Sequence, residues 1–159
     1  MSYLWAKTEK WKKWCNSENC PVCNALPQDD DFVTIAETNV SWIEAHPRAS
    51  LKGTCYVMSK KHAVELFDLS DDEVLAFMKD VMVTAKALKE ITGAAKINYE
   101  IHGNTVPHLH LHLFPRYLEG DRFNDGPINP REIEPPAYDG HEFSKFVHLM
   151  RERLSTTLA

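Results

Sequence analysis

Three histidines that alternate with apolar residues are the part of the sequence best suited to chemistry. His108, His110 and His112 are separated by single leucines and are followed by Leu-Phe-Pro-Arg. On a β-strand alternate side chains share a face, so the three imidazoles would line one face and the leucines would bury the other. Same-face neighbours are about 6.6 Å apart and the outer pair about 13 Å, too far for one small ion. The spacing therefore predicts different roles for the three imidazoles.

Three interpretations of this histidine run are open from the residues alone. The imidazoles can form an ordinary polar face of a sheet, or a His-x-His pair can bind a catalytic metal ion, as in many hydrolases. A neutral imidazole, whose ordinary pKa is about 6.5, is also a nucleophile near pH 7. It can displace a leaving group from phosphorus and form a phosphoramidate that water then opens. The strict alternation favours this nucleophilic chemistry.

A second candidate cluster is the pair Cys20 and Cys23 in the sequence Cys-Pro-Val-Cys. This spacing is typical of two zinc ligands, but it also serves redox chemistry, and two buried free thiols are the plainer interpretation. A zinc site would need two further ligands. The other cysteines, Cys15 and Cys55, are interpreted as structural, because Cys55 lies in an apolar strand and Cys15 is an additional thiol near the pair.

Three further histidines have no motif around them. His102, His141 and His148 are expected to be ordinary polar positions. Arg116 follows the histidine run and is expected to be either a surface charge or a charge that steers phosphate.

Composition limits the class of protein. The 159 residues, 43% hydrophobic and 26% charged, fit one globular domain spanning residues 1–159. A net charge of -5 argues against a nucleic-acid partner, although a pocket can be locally positive and bind a small phosphorylated ligand. No apolar run is long enough to span a bilayer or resembles a signal peptide, so we expect a cytoplasmic protein with reduced thiols and no membrane partner.

Apolar periodicity and turn residues indicate the elements that position these side chains. Strands are predicted over residues 32–36, 40–45, 54–59, 96–102 and 108–114, and an amphipathic helix over residues 3–14. Ser70-Asp-Asp-Glu73 is a capping box that begins a long helix, and Gly93 is placed to end it. A loop and a closing helix are expected over residues 117–156. Because one long helix interrupts the strands, we expect an α+β domain with an antiparallel sheet of about five strands and that helix packed on it.

The histidine run resembles the signature of the histidine-triad family, His-φ-His-φ-His-φ-φ with φ apolar, and every position of residues 108–114 matches it. The likeness extends upstream through residues 98–107, similar to the family's phosphate-contacting loop, and through residues 53–62. It covers a core of about residues 20–116. The resemblance implies the histidine-triad fold, a purine nucleotide or nucleotide conjugate as ligand, and a homodimer with a continuous sheet.

The resemblance also implies roles for individual residues. His110 would be the nucleophile, and His112 would contact the phosphate and the leaving group. His46 falls near the position where many members have an acidic residue that binds the ribose hydroxyls. The remaining phosphate and leaving-group contacts would be Asn98, Asn104 and Thr105.

In family members with a Cys-x-x-Cys pair, a structural zinc ion is completed by the histidine of the Lys-Lys-His stretch and by the first triad histidine. The resemblance therefore implies a Cys2His2 zinc site whose ligands are Cys20, Cys23, His62 and His108. Such a site would tie the N-terminal segment to the sheet.

The activity implied is that of a hydrolase or nucleotidyl transferase acting at the α-phosphate of nucleoside phosphoramidates or dinucleoside polyphosphates. The intermediate would be a covalent nucleotidyl-histidine. Two alternatives remain at this point, namely a non-catalytic module that binds purine nucleotides, and a phosphohydrolase that uses a His-x-His metal ion. The presence of His110 favours the enzyme.

Overall fold

The computed structural model describes residues 8–24, 31–121, 126, 128, 138–139 and 141–157. These residues form α1 (Thr8–Trp14), β1 (Val33–Glu37), β2 (Ser41–Ala45), β3 (Cys55–Ser59), α2 (Asp71–Thr92), β4 (Lys96–His102), β5 (His110–Arg116) and α3 (Glu142–Ser155). A short 3-10 helix at Leu66–Asp68 precedes α2. None of the helices in these described ranges is long and apolar enough to cross a membrane.

The five strands form one antiparallel sheet in the order β1-β2-β3-β5-β4. This arrangement confirms the α+β class expected from the sequence. Strand β5 lies between β3 and the edge strand β4, so its histidines have neighbours on both sides. The histidines of β5 therefore lie between residues of two neighbouring strands.

Helix α2 has the boundaries that its end signals predict. The Ser70 hydroxyl accepts the Glu73 N–H, the Glu73 carboxylate accepts the Ser70 N–H, and Gly93 ends the helix with φ at 69°. Helices α2 and α3 pack on the sheet face to which the leucines of β5 point. The largest side chains of this core that are fully buried include Ile43, Phe77, Leu88, Leu109, Leu111, Leu113, Met150 and Leu154. His110 and His112 alternate with these leucines and lie on the other face, here called the histidine face.

Strand β5 is displaced by two residues from the predicted range of 108–114. The N–H of His108 donates to the Val106 carbonyl and that of Leu109 to the Ala63 carbonyl, so both residues precede the strand. A shift of two residues preserves which side chains share a face. His108, however, is outside the strand and fully buried.

The ends of the chain match the predictions only in part. Helix α1 begins at Thr8, and residues 3–7 of the helix predicted over 3–14 lie outside the described residues. Most of the predicted loop after Tyr117 also lies outside them. The closing helix is present as α3 and buries Phe146, Val147 and Met150 among other residues.

Among the described glycines, Gly53 has the least room for a side chain. Its φ is 89°, and a Cβ atom there would lie 2.6 Å from Cγ2 of Thr92 and 3.1 Å from Cγ of Pro115. Its N–H donates to the Tyr138 hydroxyl. A side chain at this position would adopt an unfavourable φ and would clash with two neighbouring side chains.

We expect Gly53→Ala to lower the free energy of unfolding by about 3 kcal/mol, because backbone strain and overpacking act together. Gly93→Ala is the matched control, since Gly93 also has positive φ but no atom lies within 4 Å of the place that a Cβ would occupy. Gly93→Ala should lower the free energy of unfolding by about 1 kcal/mol, from backbone strain alone. Urea denaturation of both variants measures the difference, and equal losses would contradict the packing argument.

Candidate active site

The register of β5 with its neighbours brings the catalytic candidates together. His110 lies opposite His102 on β4, and His112 lies between Glu100 on β4 and Tyr56 on β3. The ring centroids of His110 and His112 are 5.0 Å apart. The middle of the histidine face therefore presents two adjacent imidazoles flanked by polar side chains.

A hydrogen bond to the backbone fixes the tautomer of His110. Its Nδ1 lies 2.6 Å from the carbonyl oxygen of His108. A carbonyl oxygen can only accept, so Nδ1 carries the proton and a neutral ring has its lone pair on Nε2. Burial lowers the pKa of His110, and the neighbouring His102 lowers it further. The ring is thus neutral near pH 7 with a free lone pair, as a nucleophile requires.

His112 is neutral for a similar reason. Burial, together with the nearby His110 and His102, lowers its pKa to about 3. Its Nε2 is buried and has no hydrogen-bond partner among the described residues. A buried polar atom without a partner costs about 1–3 kcal/mol, and a ligand atom that pairs with it recovers this energy. Nε2 of His112 is therefore a candidate contact for a bound phosphate.

Two residues of this site were not predicted from the sequence. His102 was expected to be an ordinary polar position, but its ring lies 5.0 Å from that of His112, edge to face. Its Nε2 is 3.0 Å from the carboxylate of Glu100, a residue that no motif had indicated. Alternation along β4 places Asn98, Glu100 and His102 on one face, and pairing of β4 with β5 would have indicated both residues.

The loop between β4 and β5 carries two of the expected phosphate contacts. Asn104 and Thr105 are exposed there, next to His102 at the end of β4. The indole Nε1 of Trp11 donates to the Gly103 carbonyl at 2.6 Å, so α1 is attached to this loop. Asn98 lies on the histidine face but about 13 Å along β4 from His102, so it is not part of the loop cluster.

His46 lies outside direct ring contact with the triad. Its Nδ1 accepts the N–H of Arg48 at 3.0 Å, and its ring packs on Phe32 at 4.7 Å. Phe32 contacts Tyr56 at 5.3 Å, and Tyr56 contacts His112 at 5.0 Å. Two aromatic rings therefore separate His46 from the nearest triad histidine.

An acidic side chain, Glu44, shares the histidine face with the triad. Glu44 is opposite Tyr56 in the register of β2 with β3, which places it on the histidine face. The Thr34 hydroxyl donates to its Oε1 at 3.4 Å, whereas Oε2 is buried without a partner among the described residues. Burial raises the pKa of this carboxyl. Sequence reasoning missed Glu44, although its alternation with the buried Ile43 in β2 was a usable signal.

The two cysteines and two histidines predicted to bind metal form a compact cluster. The Nδ1 of His108 lies 3.4 Å from Sγ of Cys20 and 3.6 Å from Sγ of Cys23, and the Nδ1 of His62 lies 3.3 Å from Sγ of Cys23. All four ligand atoms lie within 4.8 Å of one another. A zinc tetrahedron with Zn–S of about 2.3 Å and Zn–N of about 2.1 Å has S···N edges of about 3.6 Å. The distances therefore fit a zinc ion.

The second nitrogen of each imidazole in this cluster is bonded to backbone. Nε2 of His108 donates to the Ser59 carbonyl at 2.7 Å, and Nε2 of His62 donates to the Cys15 carbonyl at 2.9 Å. Both Nδ1 lone pairs are thus directed at the sulfurs, as is typical of histidines that bind metal. Burial raises the pKa of Cys23 to about 11, so a cation is the group that would stabilise its thiolate. The donor set is that of a structural zinc site.

The expectation for Arg116 was wrong. Its side chain is only 11% exposed, and its Nε lies 2.6 Å from the carboxylate of Asp121, whose side chain is 1% exposed. Nη1 also donates to the Gly126 carbonyl at 3.0 Å. A buried, paired guanidinium holds the chain that follows β5 and is not a free charge for steering phosphate.

Comparison with known proteins shows the family of the chain. The family model described as the HIT domain matches residues 28–119, which is more than half of the chain. The chain belongs to the HIT-domain family. The adenosine 5'-monophosphoramidase of Schizosaccharomyces pombe is 29% identical to this HIT-domain protein over 121 residues, 73% of this chain and 91% of the relative.

Two solved structures from the same family resemble the fold. The crystal structure of a histidine triad protein from Bradyrhizobium japonicum superposes with a TM-score of 0.68 at 28% identity, covering 78% of this chain and 91% of that one. A Zn-bound histidine triad family protein from Mycobacterium smegmatis gives a TM-score of 0.59 at 25% identity, covering 89% and 97%. They confirm that this HIT-domain protein has the histidine-triad fold.

The lowered pKa of His112 predicts an acid-sensitive contribution to stability. The folded-state pKa of about 3 lies below the unfolded value of about 6.5, so protonation favours the unfolded chain. The contribution is complete above about pH 6.5 and is lost as the pH falls towards 3. Between about pH 6.5 and 5 the free energy of unfolding should fall by about 1–2 kcal/mol more in the wild type than in His112→Asn. Denaturant titrations at both pH values measure this, and parallel losses would show that His112 does not titrate this way.

Proposed function

We propose that this HIT-domain protein is a nucleotide hydrolase or nucleotidyl transferase that acts at the α-phosphate of nucleoside phosphoramidates or dinucleoside polyphosphates. The observation that carries the proposal is the bond from Nδ1 of His110 to the His108 carbonyl, which leaves the lone pair on Nε2. The phosphoramidase activity named for the Schizosaccharomyces pombe relative supports this class of substrate.

The reaction has two displacements at phosphorus. Nε2 of His110 attacks the α-phosphorus, and the P–N or P–O bond to the leaving group breaks as the leaving group takes the electron pair. A nucleotidyl-histidine results. Water then attacks the same phosphorus, the P–Nε2 bond breaks, and the nucleoside monophosphate leaves while His110 recovers its lone pair.

The remaining side chains of the site bind the nucleotide in this proposal. Nε2 of His112 pairs with a phosphate oxygen, because it is buried and otherwise without a partner among the described residues. Asn104 and Thr105 contact the phosphate and the leaving group from the exposed loop. Glu44 accepts the ribose hydroxyls in place of His46, since it has an unpaired carboxylate oxygen on the histidine face.

Zinc has a structural role in the proposal. Cys20, Cys23, His62 and His108 would hold the ion, which joins the segment after α1 to the start of β5 and supplies folding free energy. No step at phosphorus involves it. The Zn-bound protein from Mycobacterium smegmatis supports the choice of metal.

We expect His110→Ala to abolish turnover of an adenosine 5'-phosphoramidate, with a loss in kcat of at least about 10³-fold and little change in AMP affinity. His112→Asn should cost less, and His148→Asn, on the exposed face of α3, should leave turnover unchanged. Rapid quenching of the wild type should trap AMP on the His110 peptide, with retention of configuration at phosphorus after complete turnover. Inversion, or an active His110→Ala protein, would contradict the nucleophile assignment.

We expect elemental analysis to find about one zinc ion per chain. Cys20→Ser should lose the ion and lower the free energy of unfolding by about 3 kcal/mol, about 10 °C in Tm for a chain of this size. Cys15→Ser is the matched control, because Cys15 contacts His62 through its backbone carbonyl, which the substitution keeps. A wild type that purifies without zinc, or whose free energy of unfolding is unchanged when zinc is removed, would contradict the site. Activity that stops on chelation before the protein unfolds would indicate a catalytic ion.

A further inference from the structure

The displacement at phosphorus requires a proton that neither triad histidine on β5 is placed to give. An amine or alkoxide leaving group must be protonated as it departs. His110 attacks through Nε2, and its only N–H is bound to the His108 carbonyl. His112 is buried with a pKa of about 3, so it holds no imidazolium proton near neutral pH. The donor has to be another group that faces the same phosphate.

The Glu100 and His102 side chains meet this requirement in position and chemistry. His102 is the cross-strand partner of His110, and Glu100 that of His112. His102 is also the last residue of β4, directly before the loop that carries Asn104 and Thr105. The pair therefore lies between the nucleophile and the proposed leaving-group contacts.

The environment of the pair suits proton transfer to and from solvent. The His102 side chain is 49% exposed, whereas the Glu100 side chain is only 17% exposed. Nε2 of His102 lies 3.0 Å from the Glu100 carboxylate, which accepts its N–H and balances the charge of an imidazolium. Nδ1 of His102 is then the nitrogen left to exchange a proton. A carboxylate that orients an imidazole in this way is the usual support of a histidine acid or base.

We propose that His102, oriented by Glu100, is the general acid and base of the reaction. The proposal rests on the function proposed above. As Nε2 of His110 bonds to phosphorus and the P–N or P–O bond breaks, Nδ1–H of the His102 imidazolium gives its proton to the departing nitrogen or oxygen. The neutral His102 then takes a proton from the water that attacks the nucleotidyl-histidine, the P–Nε2 bond breaks, and the imidazolium is restored.

Two substrates with the same adenylyl group but different leaving groups test the proposal. One is an adenosine 5'-phosphoramidate of an alkylamine, whose nitrogen must be protonated to leave. The other is the 4-nitrophenyl ester of AMP, whose phenolate leaves without a proton. We expect His102→Gln to lower kcat/KM for the phosphoramidate by about 10²-fold and for the nitrophenyl ester by less than about threefold.

The companion variants separate charge from position. Glu100→Gln keeps a hydrogen-bonding group of the same shape but removes the charge, so kcat/KM should fall by about tenfold for the phosphoramidate alone. His148 lies on α3 and has a carboxylate partner of its own. His148→Asn should leave kcat/KM unchanged for both substrates.

The outcomes distinguish this inference from the function it rests on. An equal loss of kcat/KM on both substrates in His102→Gln would overturn the general-acid proposal, because it would show that His102 only shapes the site or binds phosphate. No loss on either substrate would also overturn it. A wild-type protein that cleaves neither substrate, or a His110→Ala protein that cleaves both, would instead contradict the proposed function itself.

Discussion

The hydrogen bond from an imidazole to a backbone carbonyl is the interaction on which the proposed chemistry of this protein depends. His62, His108 and His110 each donate one ring N–H to such an oxygen, at 2.9, 2.7 and 2.6 Å. A carbonyl has no proton to give, so each bond determines which nitrogen keeps the lone pair. Two lone pairs then face cysteine sulfurs, and the third, on Nε2 of His110, is the one that attacks phosphorus in the proposed function. One type of bond thus prepares both the proposed metal ligands and the proposed nucleophile.

Burial acts on the same imidazoles as these hydrogen bonds, by keeping the rings neutral. It lowers the pKa values of His108, His110 and His112, so that the imidazoles are neutral in the folded protein. The same burial leaves Oε2 of Glu44 and Nε2 of His112 without partners among the described residues. The ligand-free site therefore carries an energetic cost that a ligand with a hydroxyl donor and a phosphate acceptor can remove. This cost connects affinity for a nucleotide to the stability of the fold.

Local signals in the sequence predicted the helices and strands. The arrangement of the site residues depends on pairing between residues far apart in the chain. The capping box at Ser70 and the terminal Gly93 give α2 its observed limits, because both act within one helical turn. The displacement of His108 from β5 depends on a bond between Leu109 and Ala63, which lies 46 positions earlier and which no local pattern reveals. The burial of Arg116 likewise depends on its ion pair with Asp121.

The same limit explains which site residues were found. His110 and His112 belong to a local motif and were visible in the sequence. Glu100, His102 and Glu44 lie on neighbouring strands, and they become part of the site only through the register of the sheet. A histidine run on one strand therefore predicts half of such a site, and the strand pairing supplies the rest.

His108 contributes to two functions through two different parts of the same residue. Its side chain joins the cysteine cluster, whereas its carbonyl oxygen holds His110. Any amino acid at this position would supply the same carbonyl. A descendant that lost the cysteines and exchanged His108 for an apolar residue would keep the bond that orients His110, the proposed nucleophile. Metal dependence and chemistry can thus diverge separately during evolution, even though they meet within a single residue.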